Sequence, residues 1–101
     1  MSTDQHGKEC VYYAAIGADT DLTTARPGYA GDQVKKLPYK FEVRGSGNLA
    51  LRFRHSAALG TIATTDTVIT GIIAPDTIYF DGATHIVSAT TTAAKITVYW
   101  H

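Results

Sequence analysis

YKFEVRGSGNLALRFRH, residues Tyr39 to His55, reads as two strands joined by a Gly-Ser-Gly-Asn turn. Phe41 and Val43 alternate with Lys40, Glu42 and Arg44. Leu49, Leu51 and Phe53 alternate with Ala50, Arg52 and Arg54. A period of two puts an apolar row on one face and a charged row on the other. The stretch is therefore expected to be a β-hairpin whose apolar face needs a second layer and whose basic face meets water or a partner.

The rest of the chain repeats this signature. Val11 to Ile16 is a short apolar run ended by Gly17, and Thr67 to Ile73 is another, in which Gly71 predicts a bulge. Thr77 to Phe80 and Ala83 to Ala89 flank Asp81-Gly82, a two-residue hairpin signal of the type I′ kind. Lys95 to His101 is a further strand, with Ile96, Val98 and Trp100 on one face and Thr97 and Tyr99 on the other. Gly17 to Gly31 lacks a period and reads as a long loop. Residues 32–37 (DQVKKL) allow one helical turn before Pro38, and 56–67 read as a small-residue connection. Turn signals recur every eight to twelve residues, and no helical periodicity is sustained. The expected fold is all-β: a small antiparallel β-sandwich or jelly-roll-like barrel of six to seven short strands. Residues 1–10 are expected to be a flexible arm and 11–101 a single domain.

Composition agrees. The 101 residues are 45% hydrophobic and 18% charged, which is globular composition. Fifteen threonines and fourteen alanines favour half-exposed strands around a core of small side chains. Cys10 is the one cysteine, so no intrachain disulfide is possible. The first ten residues lack the apolar core of a signal peptide, and no run approaches the ~18 apolar residues of a membrane span.

Net charge is zero but segregated. Residues 1–34 carry −3, residues 35–55 carry +5 and residues 56–101 carry −2. A basic middle between acidic flanks suits either a nucleic-acid patch or charge complementarity between subunits.

Chemical motifs are sparse. His6, His55, His85 and His101 have no metal-ligand spacing. Asp19-Thr20-Asp21 with Asp32 is oxygen-rich, but it lacks the EF-hand pattern, and turn hydrogen bonding accounts for it. Ser46 between two glycines is not a G-x-S-x-G elbow, and the same glycines do not make a phosphate loop. Only two glutamates are present, one of them in the arm, so paired acids for glycoside hydrolysis are not expected. No enzymatic activity and no cofactor or metal are expected. The candidate partner-binding residues are Lys40, Arg44, Arg52 and Arg54, as a stripe on the hairpin's charged face, together with Tyr29. The aromatic interleaving expected of a single-strand nucleic-acid binder is missing from that face, because Phe41 and Phe53 lie on the other side. Tyr12, Tyr13, Tyr29, Tyr39, Tyr79, Tyr99 and Trp100 are the alternative, an aromatic platform for sugar or protein.

Three segments carry a resemblance: FEVRGSGNLAL (41–51), VITGIIAPDTI (68–78) and HIVSATTTAAKITVYW (85–100). Together they resemble the small β-sandwich virion proteins of tailed phages and phage-like gene transfer agents, of the head-spike base and capsid decoration type. The likeness covers about residues 41–101. The glycine usual before that family's Thr-Thr-Ala turn is replaced, with Thr90-Thr91-Thr92-Ala93 standing there, and residues 1–38 match nothing in the family. The resemblance implies a non-enzymatic virion subunit, made in a host cytoplasm, that forms a symmetric homo-oligomer on a capsid or another virion protein. It implies no membrane, nucleic-acid or small-molecule partner. A carbohydrate- or receptor-binding module and a nucleic-acid-binding domain using the basic hairpin are the other readings.

Overall fold

A computed structural model describes residues 9–25, 37–56 and 62–100. The described residues form eight strands: β1 (Glu9–Tyr13), β2 (Thr20–Asp21), β3 (Lys40–Gly45), β4 (Gly47–Ser56), β5 (Ile62–Ile72), β6 (Asp76–Tyr79), β7 (Ala83–Ile86) and β8 (Ala94–Trp100). One sheet has the order β1-β8-β3-β6 and the other β2-β7-β4-β5, with every described pairing antiparallel. We call these the first and second sheets. The fold is the expected all-β sandwich. The strand beyond the expected six to seven is β2, a two-residue strand inside the stretch read as a loop. Glu9 and Cys10, read as the end of the arm, belong to β1.

The pairing has a simple rule. β1 pairs β8, β2 pairs β7, β3 pairs β6 and β4 pairs β5. Such a nested set is one long antiparallel ribbon, with its turn between β4 and β5, rolled so that successive strands fall in alternate sheets. This is jelly-roll connectivity, one of the ways an all-β chain limits its open edges.

The rolled topology corrects two readings. β3 and β4 are not a hairpin: β3 lies between β8 and β6, and β4 lies between β7 and β5. Thr77–Phe80 and Ala83–Ala89 are not a hairpin either, since β6 belongs to the first sheet and β7 to the second. Both Gly-rich turns are crossovers between sheets. The alternation itself is as expected, with Phe41, Val43, Leu49 and Leu51 all fully buried. A period of two says which side chains face the core. It does not say whether the next strand lies beside or opposite.

The glycines at the first crossover are required by what crosses it. A Cβ on Gly47 (φ +151°) would lie 2.6 Å from the Ala93 backbone nitrogen and 2.7 Å from the Thr92 carbonyl carbon. One on Gly45 would lie 3.0 Å from Ala94 Cβ. The β7–β8 connection packs directly on the β3–β4 connection and is bonded to it. Thr92 N–H and Ala93 N–H donate to the Asn48 carbonyl at 2.9 and 3.0 Å, and Asn48 N–H donates to Thr92 Oγ1 at 2.8 Å. Ala50 N–H donates to Thr91 Oγ1 at 3.0 Å. Asn48 also accepts the Gly71 N–H on its Oδ1, at 3.1 Å. Gly71, at φ +69°, sits in the expected bulge, where three steps of β5 match two of β4.

Between the sheets the core is one cluster. Phe41, Val43, Ile96, Val98 and Trp100 come from the first sheet and Leu49, Leu51, Ile86 and Ala83 from the second. Leu22, just past β2, closes the cluster and donates its N–H to the Thr84 carbonyl at 2.8 Å. The connection expected over 56–67 is shorter than that: Ser56 ends β4 and Ile62 to Thr67 belong to β5, because they pair in register with Ser56 to Leu51 of β4. The arm over residues 1–8, Asp32, the turn expected in DQVKKL apart from Leu37, residues 57–61, His6 and His101 lie outside the described residues.

Candidate functional site

Side chains that leave the core project from two outer faces. On the first sheet, register builds rows across four strands: Cys10, Tyr99, Lys40 and Tyr79 form one row, and Tyr12, Thr97, Glu42 and Thr77 the next. Lys40 Nζ lies 4.2 Å from the centroid of the Tyr99 ring, a cation–π contact. Tyr99 Oη donates to Glu42 Oε1 at 2.7 Å. That bond, followed by burial and the Glu42 charge, pushes the Tyr99 phenol up to about 12. Tyr12 and Tyr79 stand exposed toward opposite rims of the same face. Beside them Glu42, Val43, Arg44, Pro75, Asp76 and Thr77 line an open cavity of about 460 Å³.

The outer face of the second sheet is polar and internally paired. Arg52 donates to both oxygens of Asp66 directly across the strand pair, at 2.7 and 3.2 Å. This contact holds the Asp66 carboxyl below its usual range and the Arg52 guanidinium above its own. Asp19 accepts the backbone and hydroxyl protons of Ser88 at 2.8 and 3.0 Å, which lowers its pKa and ties the loop after β1 to the 3-10 turn Ser88–Thr90. Thr84, the extra residue of a bulge in β7, donates its hydroxyl to the Arg52 carbonyl at 3.1 Å. The single hydroxyl proton is thereby used, so His85 Nδ1, 3.1 Å from Thr84 Oγ1, is the donor to it. His85 Nε2 lies 3.9 Å from Asp21 Oδ1. A second cavity of about 320 Å³ is lined here by Thr23, Leu37, Arg54, Thr64, Thr84 and His85.

The expected basic stripe is not formed. Lys40 and Arg44 project from the first sheet, and Arg52 and Arg54 from the second, on opposite faces of the sandwich. The form of the nucleic-acid reading that needed a basic hairpin loses its surface with it. Tyr29 lies outside the described residues. Ser46, whose Oγ accepts the Ala74 N–H at 2.9 Å, fastens the first crossover to the β5–β6 link. Asp21 accepts the Thr23 backbone and hydroxyl protons at 2.8 and 2.6 Å, the local turn bonding expected of it.

What sequence reasoning missed is the aromatic content of the Lys40–Arg44 face. The tyrosines come from β1, β6 and β8, distant in sequence, so the two strands of the opening stretch show none of them. The β3–β8 register is the missing information. The polar row Thr97 and Tyr99 opposite Glu42 and Lys40 was its only trace.

Among the described residues, no three His, Cys, Asp or Glu side chains converge as a metal site requires. No helix there is long and apolar enough to cross a membrane. No protein-family model, curated protein or solved structure matches the chain.

Proposed function

We propose that the chain is a non-enzymatic structural subunit of a phage-type virion, a capsid decoration or head-spike base protein, acting through protein–protein contacts in a symmetric oligomer. The observation that carries this reading is the rolled two-sheet topology, an architecture used by capsid domains. The three segments that resemble virion proteins also meet in space. Residues 46–50, at the first crossover, bond both to 71–74 and to 91–93. Light scattering on a sizing column tests the reading. A mass at a multiple of 10.8 kDa is expected, and a strict monomer throughout the micromolar range counts against it.

A carbohydrate- or receptor-binding module is the second reading. The face with Tyr12, Tyr79, Tyr99 and Lys40 favours it, and lectins also use jelly rolls. A glycan array distinguishes the two: specific glycan binding lost on Tyr79→Ala selects the second reading.

A further inference from the structure

β5 ends the second sheet. It runs eleven residues, pairs with β4 along one side and has no strand on the other among the described residues. Every second residue of such a strand presents its N–H and C=O outward, a template for another strand. Native edges are blunted by shortness, lysine, proline, an inward charge or a bulge. β5 has no lysine or proline, and its bulge lies at Gly71, near the far end, leaving the register with β4 regular from Ile62 to Ile69. Its one charge, Asp66, points to the outer face and is held by Arg52 of the same chain. Thr64, Asp66, Val68 and Thr70 are all exposed, and no strand among the described residues covers this side.

Apolar exposure collects at the same rim. Val68 on β5 is 42% exposed and Ile73 on the β5–β6 link 81%. A rim of this kind is normally a contact surface.

We propose that β5 is the self-association edge of this protein. It pairs antiparallel with β5 of a second copy across a two-fold axis and joins two four-stranded sheets into one of eight. The inference rests on the reading of the chain as an assembling subunit and names the surface that does it. The occupant is a copy because the strand is self-complementary. Like charges directly opposite one another destabilise a strand pair, and only an axis on Asp66 itself would oppose the two carboxylates. An axis on Thr67 sets each Asp66 against the copy's Val68. It also brings the two Val68 side chains together diagonally on the outer face and covers the half-buried Ile69. Both carboxylates keep their Arg52 partners. A contact of this type is the same patch on both subunits and closes at two.

Val68→Glu tests the edge, since it opposes carboxylates in registers centred on Thr67 or on Val68, at a position exposed enough to leave the fold intact. Sedimentation of the wild type should give an even multiple of the 10.8 kDa protomer, and the variant should fall to the protomer mass. A variant that keeps the wild-type mass overturns the β5 edge and leaves the assembly reading standing. A wild type that stays at the protomer mass overturns both. Hydrogen exchange on the wild type gives the same answer without a variant. Alternate β5 amides should slow by about tenfold or more as concentration rises through the self-association range. Protection that does not change with concentration, or that appears only when a different protein is added, overturns self-pairing.

Discussion

Gly47→Ala is the substitution that separates a crossover from a hairpin. In a hairpin turn the new methyl would point into solvent and cost only backbone strain. In the rolled chain it would meet the Ala93 nitrogen at 2.6 Å and the Thr92 carbonyl carbon at 2.7 Å, both backbone atoms that no rotamer change can move. Its third neighbour, Thr92 Oγ1 at 2.7 Å, is the acceptor of the Asn48 N–H. Making room means pushing the β7–β8 connection away from Asn48 and lengthening the bonds that Thr92 and Ala93 donate to it. Overpacking costs about 1–3 kcal/mol and the unusual φ about 1–3 more, so the loss should be about 2–6 kcal/mol. That is a large share of the roughly 5–15 kcal/mol of a domain of this kind. Two controls calibrate it. Gly17 has open space and no positive φ, so Gly17→Ala should be neutral or stabilising by about 0.4–1 kcal/mol. Gly82 has open space but φ +92°, so Gly82→Ala should show strain alone, about 1–2 kcal/mol. Urea denaturation with unchanged m-values measures all three. A Gly47→Ala protein within about 0.5 kcal/mol of wild type would refute the crossing of the two connections.

Trp100 is fully buried, and its Nε1 finds no acceptor among the described residues. Trp100→Ala should therefore cost about 3–5 kcal/mol, whereas Trp100→Phe, which loses no hydrogen bond, should cost less than half as much in the same assay. The Tyr99 phenol, at about 12 against an ordinary 10, favours the folded state while it is protonated. Its contribution is complete below pH 10 and is lost as pH rises through 12, and Glu42→Ala should bring the tyrosinate absorbance step down toward 10. Arg52→Glu places a carboxylate directly opposite Asp66, so the protein should fold with a melting temperature lowered by a few degrees. In the wild type the depressed Asp66 pKa contributes stability above the usual carboxylate range and loses it as pH falls through the depressed value. In Arg52→Glu the two facing carboxylates repel when ionised, so acidification should narrow the gap to wild type.

The alternation in Tyr39–His55 and in Lys95–His101 was enough to mark Phe41, Val43, Leu49, Leu51, Ile96, Val98 and Trp100 as core, and each is buried. Gly71 as a bulge was equally legible, because a glycine inside a β-branched run has few other uses. The partner of each strand was not. Gly-Ser-Gly-Asn and Asp-Gly satisfy the local chemistry of a hairpin, yet both join strands that lie in different sheets. The choice is made by contacts far away in sequence: Thr92 and Ala93 against Gly47, and Tyr39 receiving the Phe80 N–H at 3.1 Å. The candidate surface failed to emerge for the same reason. Lys40, Arg44, Arg52 and Arg54 alternate faultlessly along the chain, but the crossover at residues 45–47 turns the two pairs to opposite sides of the molecule.

Electron microscopy of the purified chain at high concentration bears most directly on its reading as a self-assembling subunit. Discrete closed particles of one size, each built from an even number of protomers, are the predicted result. A field of separate protomers, or unbounded fibres in which strand addition never closes, would contradict it.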